Sequence, residues 1–178
     1  MVLSTATLWG FAEATLFFIV PDVWTSMAGR KSLRRGLQAC LFAVAGALVG
    51  GTGMYFWGSA DPVTTEALVE QVPAISPAMM ENARTGLEER GVASLFFGPL
   101  RVTPYKVFAI YSTAAGISFP IFIVVSCLSR LLRFAITTIV CHYLLKLLPL
   151  LHLRINPLLA LAICWLVFYI IFFSVLPN

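Results

Sequence analysis

Charged residues are scarce in this chain. Of its 178 residues, 11% are Asp, Glu, Lys or Arg, whereas 60% are apolar. Soluble domains carry about 25% charged residues, so a chain of this composition cannot cover itself with a water-compatible surface. Several windows exceed the about 20 apolar residues that cross a bilayer. The composition excludes a soluble globular protein and predicts an all-α integral membrane protein with a single membrane domain over residues 1–178.

The chain also lacks the common signatures of metal sites, disulfides and enzymes. The cysteines form no C-x-x-C pair and lie in apolar runs, as small core residues do: Cys40, Cys127, Cys141 and Cys164. Neither His142 nor His152 has a ligand-type partner at helical i, i+4 spacing. No Ser/His/Asp order and no nucleotide-binding loop is present. We therefore expect no metal, no cofactor, no nucleic acid partner and no enzymatic activity.

A signal peptide is not predicted at the amino terminus. The first residues contain no basic region, and Glu13 interrupts the segment that would have to be purely apolar. We expect this segment to be part of the mature membrane domain.

The apolar sequence divides into six segments, namely a broken unit at 3–28, a spanning helix at 36–57, a polar loop at 58–91, a second broken unit at 92–118, and spanning helices at 119–148 and 156–176. The first spanning helix carries a face of small residues suited to close packing, formed by Ala43, Ala45, Gly46 and Gly50.

The polar loop holds six of the eight acidic residues of the chain: Asp61, Glu66, Glu70, Glu81, Glu88 and Glu89. Asp61 and Ser76 each precede a proline, which predicts helix N-caps followed by proline at the first helical position. The second of these helices places Met80, Ala83 and Leu87 on one side. That side predicts either a helix lying on the membrane surface or an ordinary solvated helical loop.

The two broken units resemble each other. Residues 16–22 recur as residues 95–101 with the charge reversed, and each copy runs on to an Ala-Gly pair. The residues expected to break the helices are Pro21, Pro99, Pro104 and Gly116. Irregular backbone at membrane depth is tolerated where it lines a cavity or packs on protein. We predict two re-entrant helical hairpins, each followed by a transmembrane helix, as an inverted repeat of the kind found in transporters.

The distribution of charge supports the hairpins. If both units return to the side they entered from, the basic cluster at 30–35 shares one side with Lys146 and Arg154, and the acidic loop lies on the other. By the positive-inside rule the basic side is cytoplasmic, which predicts a multi-pass protein of the plasma (inner) membrane. If both units span the membrane instead, Lys146 and Arg154 fall on the acidic side.

The broken units contain four ionisable residues. Glu13 and Asp22 lie in the first unit, and Arg101 and Lys106 in the second. A charge near the bilayer centre costs about 3 kcal/mol or more, so we expect the units to face each other and the acids to pair with these bases. A carboxylate released from such a pair could carry a proton. The alternative is that these side chains snorkel to the interface, an explanation that fits Lys106 best.

Arg130 and Arg133 are spaced to share one helix face. If 119–148 is one helix, both lie near its middle, and the membrane domain holds four bases against two acids. An anion would complete such a site, and arginine matches phosphate oxygens bidentately. In an alternative assignment 107–128 and 134–151 span separately, and 129–133 is a cytoplasmic turn.

At these residues the chain resembles the DedA superfamily, also described as the VTT or SNARE-associated Golgi protein family. The resemblance covers about residues 5–140 and depends on the order of its pieces, namely Glu13, Pro21-Asp22, Ala28-Gly29, Gly46 to Gly50 with Tyr55 and Gly58, and residues 97–104 leading to Ala115-Gly116. Two features depart from the family pattern. Lys106 stands one residue early in place of an arginine, and the helix that often precedes the first hairpin is missing.

The resemblance implies two facing re-entrant hairpins and movement of lipid between leaflets. Bacterial members are linked to recycling of a polyprenyl phosphate carrier such as undecaprenyl phosphate and to phospholipid movement, in some cases with proton coupling. The family's functional acids and arginines carry over to Glu13, Asp22 and Arg101. We therefore expect a flippase that binds an anionic phosphate headgroup. Some members of the family couple transport to protons, and a proton is a second expected ligand. The alternative is a non-transporting scaffold that binds a partner protein. Self-association is compatible with both.

Overall fold

All regular structure in the described residues is helical. The computed structural model describes residues 2–101, 103–150 and 156–175, without the side chains of 149 and 150. Its helices are α1 (Val2–Ala14), α2 (Asp22–Gly29), α3 (Leu33–Ala60), α4 (Pro62–Glu70), α5 (Pro77–Arg90), α6 (Val92–Phe97), α7 (Tyr105–Tyr111), α8 (Phe119–Leu150) and α9 (Pro157–Val175), with a 3₁₀ turn at Gly98–Leu100. The predicted all-α class is confirmed for these residues.

Within the part of the chain that the structure describes, three helices are long and apolar enough to cross a membrane, and they indicate a membrane protein. They are Leu33–Ala60, Phe119–Leu148 within α8, and Pro157–Val175. They coincide with the spanning segments expected at 36–57, 119–148 and 156–176. Residue 176 lies outside the described residues, and so do His152 and Arg154.

The first broken unit reverses direction between α1 and α2. The Trp24 indole N–H in α2 donates to the carbonyl oxygen of Val2 at 3.0 Å, and Trp24 stacks on Trp9 at 6.0 Å between ring centroids. Helix α1 ends at Ala14, seven residues before Pro21, which instead occupies the N-cap position of α2. The break therefore occupies residues 15–21, and α2 returns along α1 towards its beginning.

Helix α1 packs on α3 backbone against backbone. A Cβ on Gly10 would collide with the carbonyl of Ala43, and one on Gly46 would collide with the carbonyl of Thr7. Gly50 lies against the carbonyl of Phe11 in the same way. Because Thr7 and Phe11 contact Gly46 and Gly50 in the same order, α1 and α3 run in the same direction. The predicted small-residue face is present, with the exception of Ala45. Ala45 is exposed because it points away from α1.

The second broken unit reverses in the same manner but against α8. Ser129 donates to the carbonyl of Phe96 at 2.7 Å, and Arg133 donates to that of Pro99 at 2.8 Å, so α6 and the 3₁₀ turn run parallel to α8. After Pro104, α7 returns antiparallel to α8. Gly116, at φ 72°, closes the turn that follows α7; a residue with a Cβ would be strained there.

Helices α3 and α8 are antiparallel and join the two units. Cys40 hydrogen-bonds Thr138 at 3.3 Å near one end, and the rings of Tyr55 and Phe122 lie 4.8 Å apart near the other. Helix α8 is continuous through residues 129–133. The alternative assignment with a cytoplasmic turn there is therefore wrong. Apolar residues flank Arg130 and Arg133 on both sides, and no helix-breaking residue lies between or next to them, so the helix continues through this region.

The polar loop forms two capped helices that pack on the membrane domain. Asp61 accepts from the Thr64 backbone N–H at 3.1 Å, and Ser76 from that of Met79 at 3.3 Å, which confirms both predicted N-caps. The apolar side of α5, formed by Met80, Ala83 and Leu87, is buried against the protein core. The membrane-surface interpretation of α5 is wrong for this reason: protein already covers the face that would contact lipid.

Helix α9 is the least packed of the long helices. In its most apolar window 6% of the residues are buried, against 56% in α3. Two polar contacts hold it to the first broken unit: Trp165 donates to Ser26 at 3.0 Å, and the Val20 backbone N–H donates to the Tyr169 hydroxyl at 2.9 Å. Most of its surface is apolar and exposed, as expected of a helix that faces lipid.

Candidate functional site

A buried ion pair lies at the centre of the molecule. Glu13, in the last turn of α1, pairs with Arg130 in the middle of α8, and neither side chain reaches the surface. The guanidinium carbon of Arg130 lies 4.9 Å from the ring centroid of Tyr105 and 4.7 Å from that of Phe134. A cation between two aromatic faces is partly compensated for its lost hydration. The Glu13 carboxylate accepts from Nη2 of Arg130, whereas Nε and Nη1 are buried without a hydrogen-bond partner among the described residues. Loss of the carboxylate would leave the charge unpaired, which is very costly in this position.

A second pair is looser and connects three elements. Asp22, at the start of α2, lies 3.5 Å from the Nε of Arg133, measured to its Oδ2. Arg133 also donates to the carbonyl of Pro99 in the second broken unit. Asp22 is buried, yet neither of its carboxylate oxygens makes a hydrogen bond with a described residue. The Asp22 carboxylate can therefore accept further hydrogen bonds, and its partner Arg133 is also bound to the Pro99 carbonyl.

Lys106 connects the two broken units directly. It is 1% exposed, and its Nζ donates to the carbonyl oxygen of Phe17 at 2.6 Å. Phe17 lies in the break of the first unit, where backbone carbonyls have no helical partner. The snorkelling alternative for Lys106 is wrong, since the ammonium group is held inside the protein by that carbonyl.

Arg101 occupies a different position from the one expected. It is exposed at the tip of the second unit and makes no side-chain ion pair or hydrogen bond with any other described residue. The prediction that the acids pair with Arg101 and Lys106 is therefore wrong. Both partners come from α8, because its continuous course places Arg130 and Arg133 between the two units.

A cavity of about 170 Å³ lies where the tips of the two units meet. Its charged lining comprises Glu13, Arg101, Lys106 and Arg133, so three bases face one acid. Apolar and aromatic side chains complete the wall, among them Phe18, Val20 and Pro104 of the units and Phe168, Tyr169 and Phe172 of α9. We call this space the tip cavity. It combines a positive polar side with an aromatic side contributed by the lipid-facing helix.

The breaking residues define the edge of this region. Pro21 starts α2, Pro99 lies in the 3₁₀ turn and lends its carbonyl to Arg133, and Pro104 precedes α7. Gly116 lies apart, in the turn between α7 and α8. Of the four predicted breakers only Pro104 lines the tip cavity itself, whereas Pro21 follows the lining residue Val20 in sequence and Pro99 accepts from the lining residue Arg133.

The described residues hold no group of three or more His, Cys, Asp or Glu side chains close enough to bind a metal ion. His142 is buried and uses Nδ1 on the carbonyl of Gly29 at 2.7 Å.

Sequence reasoning missed the aromatic components of the site. Tyr105 and Phe134 flank Arg130, and Tyr169 contacts the first break, yet none of them stands out among the many aromatic residues of the chain. The useful signal was the i, i+3 spacing of Arg130 and Arg133, which correctly placed two bases on one helix face.

The chain has no significant match among protein-family models, curated proteins or solved structures.

Proposed function

We propose that this protein transports a phosphate-bearing lipid, a polyprenyl phosphate or a phospholipid, between the leaflets of a membrane. The observation that carries the proposal is the tip cavity, in which three bases face one acid beside a lipid-facing aromatic wall. Arg101 is exposed, but Lys106 is buried and has no carboxylate partner among the described residues. A positive charge in a low-dielectric site is costly unless an anion neutralises it. A phosphate headgroup supplies that charge, and its acyl or prenyl chain can remain against α9.

We further propose that the two broken units are re-entrant hairpins related as an inverted repeat. In each unit the first helix runs parallel to the long helix that follows it and the second runs antiparallel. Because α3 and α8 are themselves antiparallel, the two units enter from opposite ends. Their tips meet at Lys106 and Phe17. In transporters built from inverted repeats, such a meeting point is the site that each side of the membrane reaches in turn. Here Val72 and Pro73, from the loop between α4 and α5, also line it. The resemblance to the DedA superfamily supports the same architecture.

The basic residues set the proposed orientation. Residues 30–35 follow α2 and Lys146 lies near the end of α8, at the same end of the antiparallel pair. The acidic helices α4 and α5 lie at the other end. By the positive-inside rule the basic end is cytoplasmic, in a plasma membrane.

The loose pair of Asp22 and Arg133 suggests how the cycle proceeds. A phosphate oxygen that approaches Arg133 competes with Asp22 for its guanidinium, because both are anionic acceptors for the same donors. Protonation of the displaced carboxylate would remove its charge and let the phosphate occupy the site. Release of the proton would restore the pair and expel the lipid. Transport coupled to protons follows from this exchange.

The direct test is lipid flux in liposomes that contain the purified chain and a phosphate-bearing lipid with a fluorescent label. The substitution Asp22→Asn keeps the shape but removes the charge, and we expect flux to fall at least tenfold while insertion and thermal stability remain close to wild type. Glu88→Gln, at an exposed position of α5, is the matched control and should transport normally. If the wild type moves no phosphate-bearing lipid, or Asp22→Asn moves it at the wild-type rate, the transport proposal is wrong.

The scaffold alternative makes a different prediction for the same variants. A protein that only binds a partner or shapes lipid packing should respond to charge substitutions through folding and abundance alone. Flux and stability measured on one set of preparations therefore separate the two functions.

A further inference from the structure

A second polar cleft lies beside the tip cavity, between α5 and the second broken unit. Its volume is about 480 Å³, and it is more open than the tip cavity. Polar side chains from both elements line it, including Asn82, Thr85 and Ser94, together with Glu89, Arg90 and Arg101. We call it the outer cleft, because it lies at the end of the molecule that carries the acidic helices.

Arg101 lines both the outer cleft and the tip cavity. At the end of the 3₁₀ turn its backbone N–H donates to the carbonyl oxygen of Gly98 at 3.0 Å. Its side chain is exposed and has no partner among the described residues. A long, flexible cationic side chain that lines both spaces can serve each of them by changing rotamer. The other bases of the tip cavity do not line the outer cleft.

Arg90 places a second free guanidinium in the outer cleft. It lies in the last turn of α5 and forms no ion pair or side-chain hydrogen bond with another described residue. Arg84 on the same helix differs, because it is bound to Glu81 at 3.2 Å. Within the cleft, two arginines therefore face the single acid Glu89. Two planar donors in one polar cleft match the several oxygens of a phosphate group.

We infer that the outer cleft is an entry and exit site for the phosphate of a lipid headgroup, held between Arg90 and Arg101, and that Arg101 passes this phosphate to the tip cavity. The inference rests on the proposed transport function and deepens it by naming a second binding position. Asn82, Thr85 and Ser94 provide neutral hydrogen bonds for the polar remainder of the headgroup. Arg101 lines both spaces, so the phosphate can stay bound to this arginine while the headgroup moves from the outer cleft to the tip cavity.

The test measures binding to the full chain purified in a non-ionic detergent, with decyl phosphate as the amphiphilic probe and inorganic phosphate as the soluble one. Isothermal titration gives the dissociation constant. Arg90→Gln should weaken binding of decyl phosphate about tenfold, the loss expected for a charged hydrogen bond. Arg90→Lys should recover part of it. Arg84→Gln is the matched control, an exposed arginine of the same helix outside the cleft, and should bind as the wild type does.

Each result assigns the site differently. Tight binding of decyl phosphate but not of inorganic phosphate, weakened by Arg90→Gln, supports a lipid headgroup. Equal affinity for the two probes would overturn the lipid assignment in favour of a free phosphate site. Equal affinities of Arg90→Gln and the wild type for decyl phosphate would overturn the outer cleft altogether.

The transport proposal fails independently of this one. If liposomes with the wild type show no flux while Arg90→Gln still weakens decyl phosphate binding tenfold, the binding site stands and transport does not. If wild-type flux is normal and Arg90→Gln changes neither flux nor binding, transport stands and the outer cleft is wrong.

Discussion

The two broken units have similar backbone paths but are held in the fold in different ways. The first packs backbone against backbone, with Gly10 and Gly46 allowing α1 to touch α3. The second touches α3 backbone against backbone only at the far end of α7, where Gly58 lies against Ile110, and near Lys106 it packs through a side chain, since the ring of Tyr105 covers Gly51. Close backbone contact leaves little room for sliding, whereas side chains can change rotamer. The comparison suggests a fixed first unit that carries the acids and a second unit whose tip, with Lys106 and Arg101, is more adjustable than its far end.

The largest effect should come from breaking the pair that anchors the fixed unit. Glu13→Leu leaves the Arg130 charge buried without its carboxylate, which should cost about 3–5 kcal/mol of unfolding free energy. The double variant Glu13→Leu/Arg130→Met removes both charges and should recover most of that loss. Denaturant unfolding in detergent micelles measures both. If the double variant is as unstable as the single one, the pair is not what anchors α1 to α8.

Glycine substitutions should separate the two kinds of packing. Gly46→Ala forces a Cβ onto the Thr7 carbonyl, and the backbone must move, so we expect a loss of about 1–3 kcal/mol. Gly51→Ala meets only the Tyr105 side chain and should cost less. Gly53 has nothing within 4 Å of a new Cβ, so Gly53→Ala is the control and should be neutral or stabilising. Equal losses at Gly46 and Gly51 would contradict the contrast between the units.

The contact between the tips should matter more for transport than for stability. Lys106→Met removes the donor to Phe17 together with a buried charge, so the lost hydrogen bond and the avoided desolvation offset each other. We expect the thermal midpoint in detergent to change little and lipid flux in liposomes to fall about tenfold. Lys146→Met, an exposed lysine near the end of α8, is the control. Normal flux from Lys106→Met would remove this residue from the site.

The smallest effect should lie in the loop that separates the units. Hydrogen bonds from Thr64 lower the pKa of Asp61 below its usual value. A lowered pKa means that this cap contributes stability above the unfolded pKa and loses it as the pH falls through the folded one. Asp61→Ala should therefore reduce thermal stability slightly at pH 7, measured by circular dichroism. The difference from wild type should vanish at strongly acid pH, and a difference that persists there would argue against the cap.

The sequence predicted the helical elements well because their signals are local. Apolar length located α3, α8 and α9, and the proline-preceding Asp61 and Ser76 marked both loop helices. The end of α1 was harder to locate. It ends at Ala14 because the chain turns to bring the carbonyl of Ile19 to the Trp9 indole, a contact that no local pattern predicts.

The pairing of charges could not be predicted because it depends on distant parts of the chain. Glu13 and Arg130 are 117 residues apart, and Arg101 was an equally good partner by charge alone. The directions of α1 and α8 decide between them. The same holds for the aromatic wall of the tip cavity, since Tyr169 reaches it only through the position of α9.

The most direct test of the account is whether the second unit enters and leaves the membrane on one side. In a variant without the four native cysteines, single cysteines at Ala93 and Ser118 flank this unit at exposed positions. A membrane-impermeant thiol reagent applied to sealed, oriented vesicles should label both from the face opposite the basic residues 30–35. Labelling from opposite faces would make the unit a plain spanning segment. It would contradict the facing hairpins on which the transport site depends.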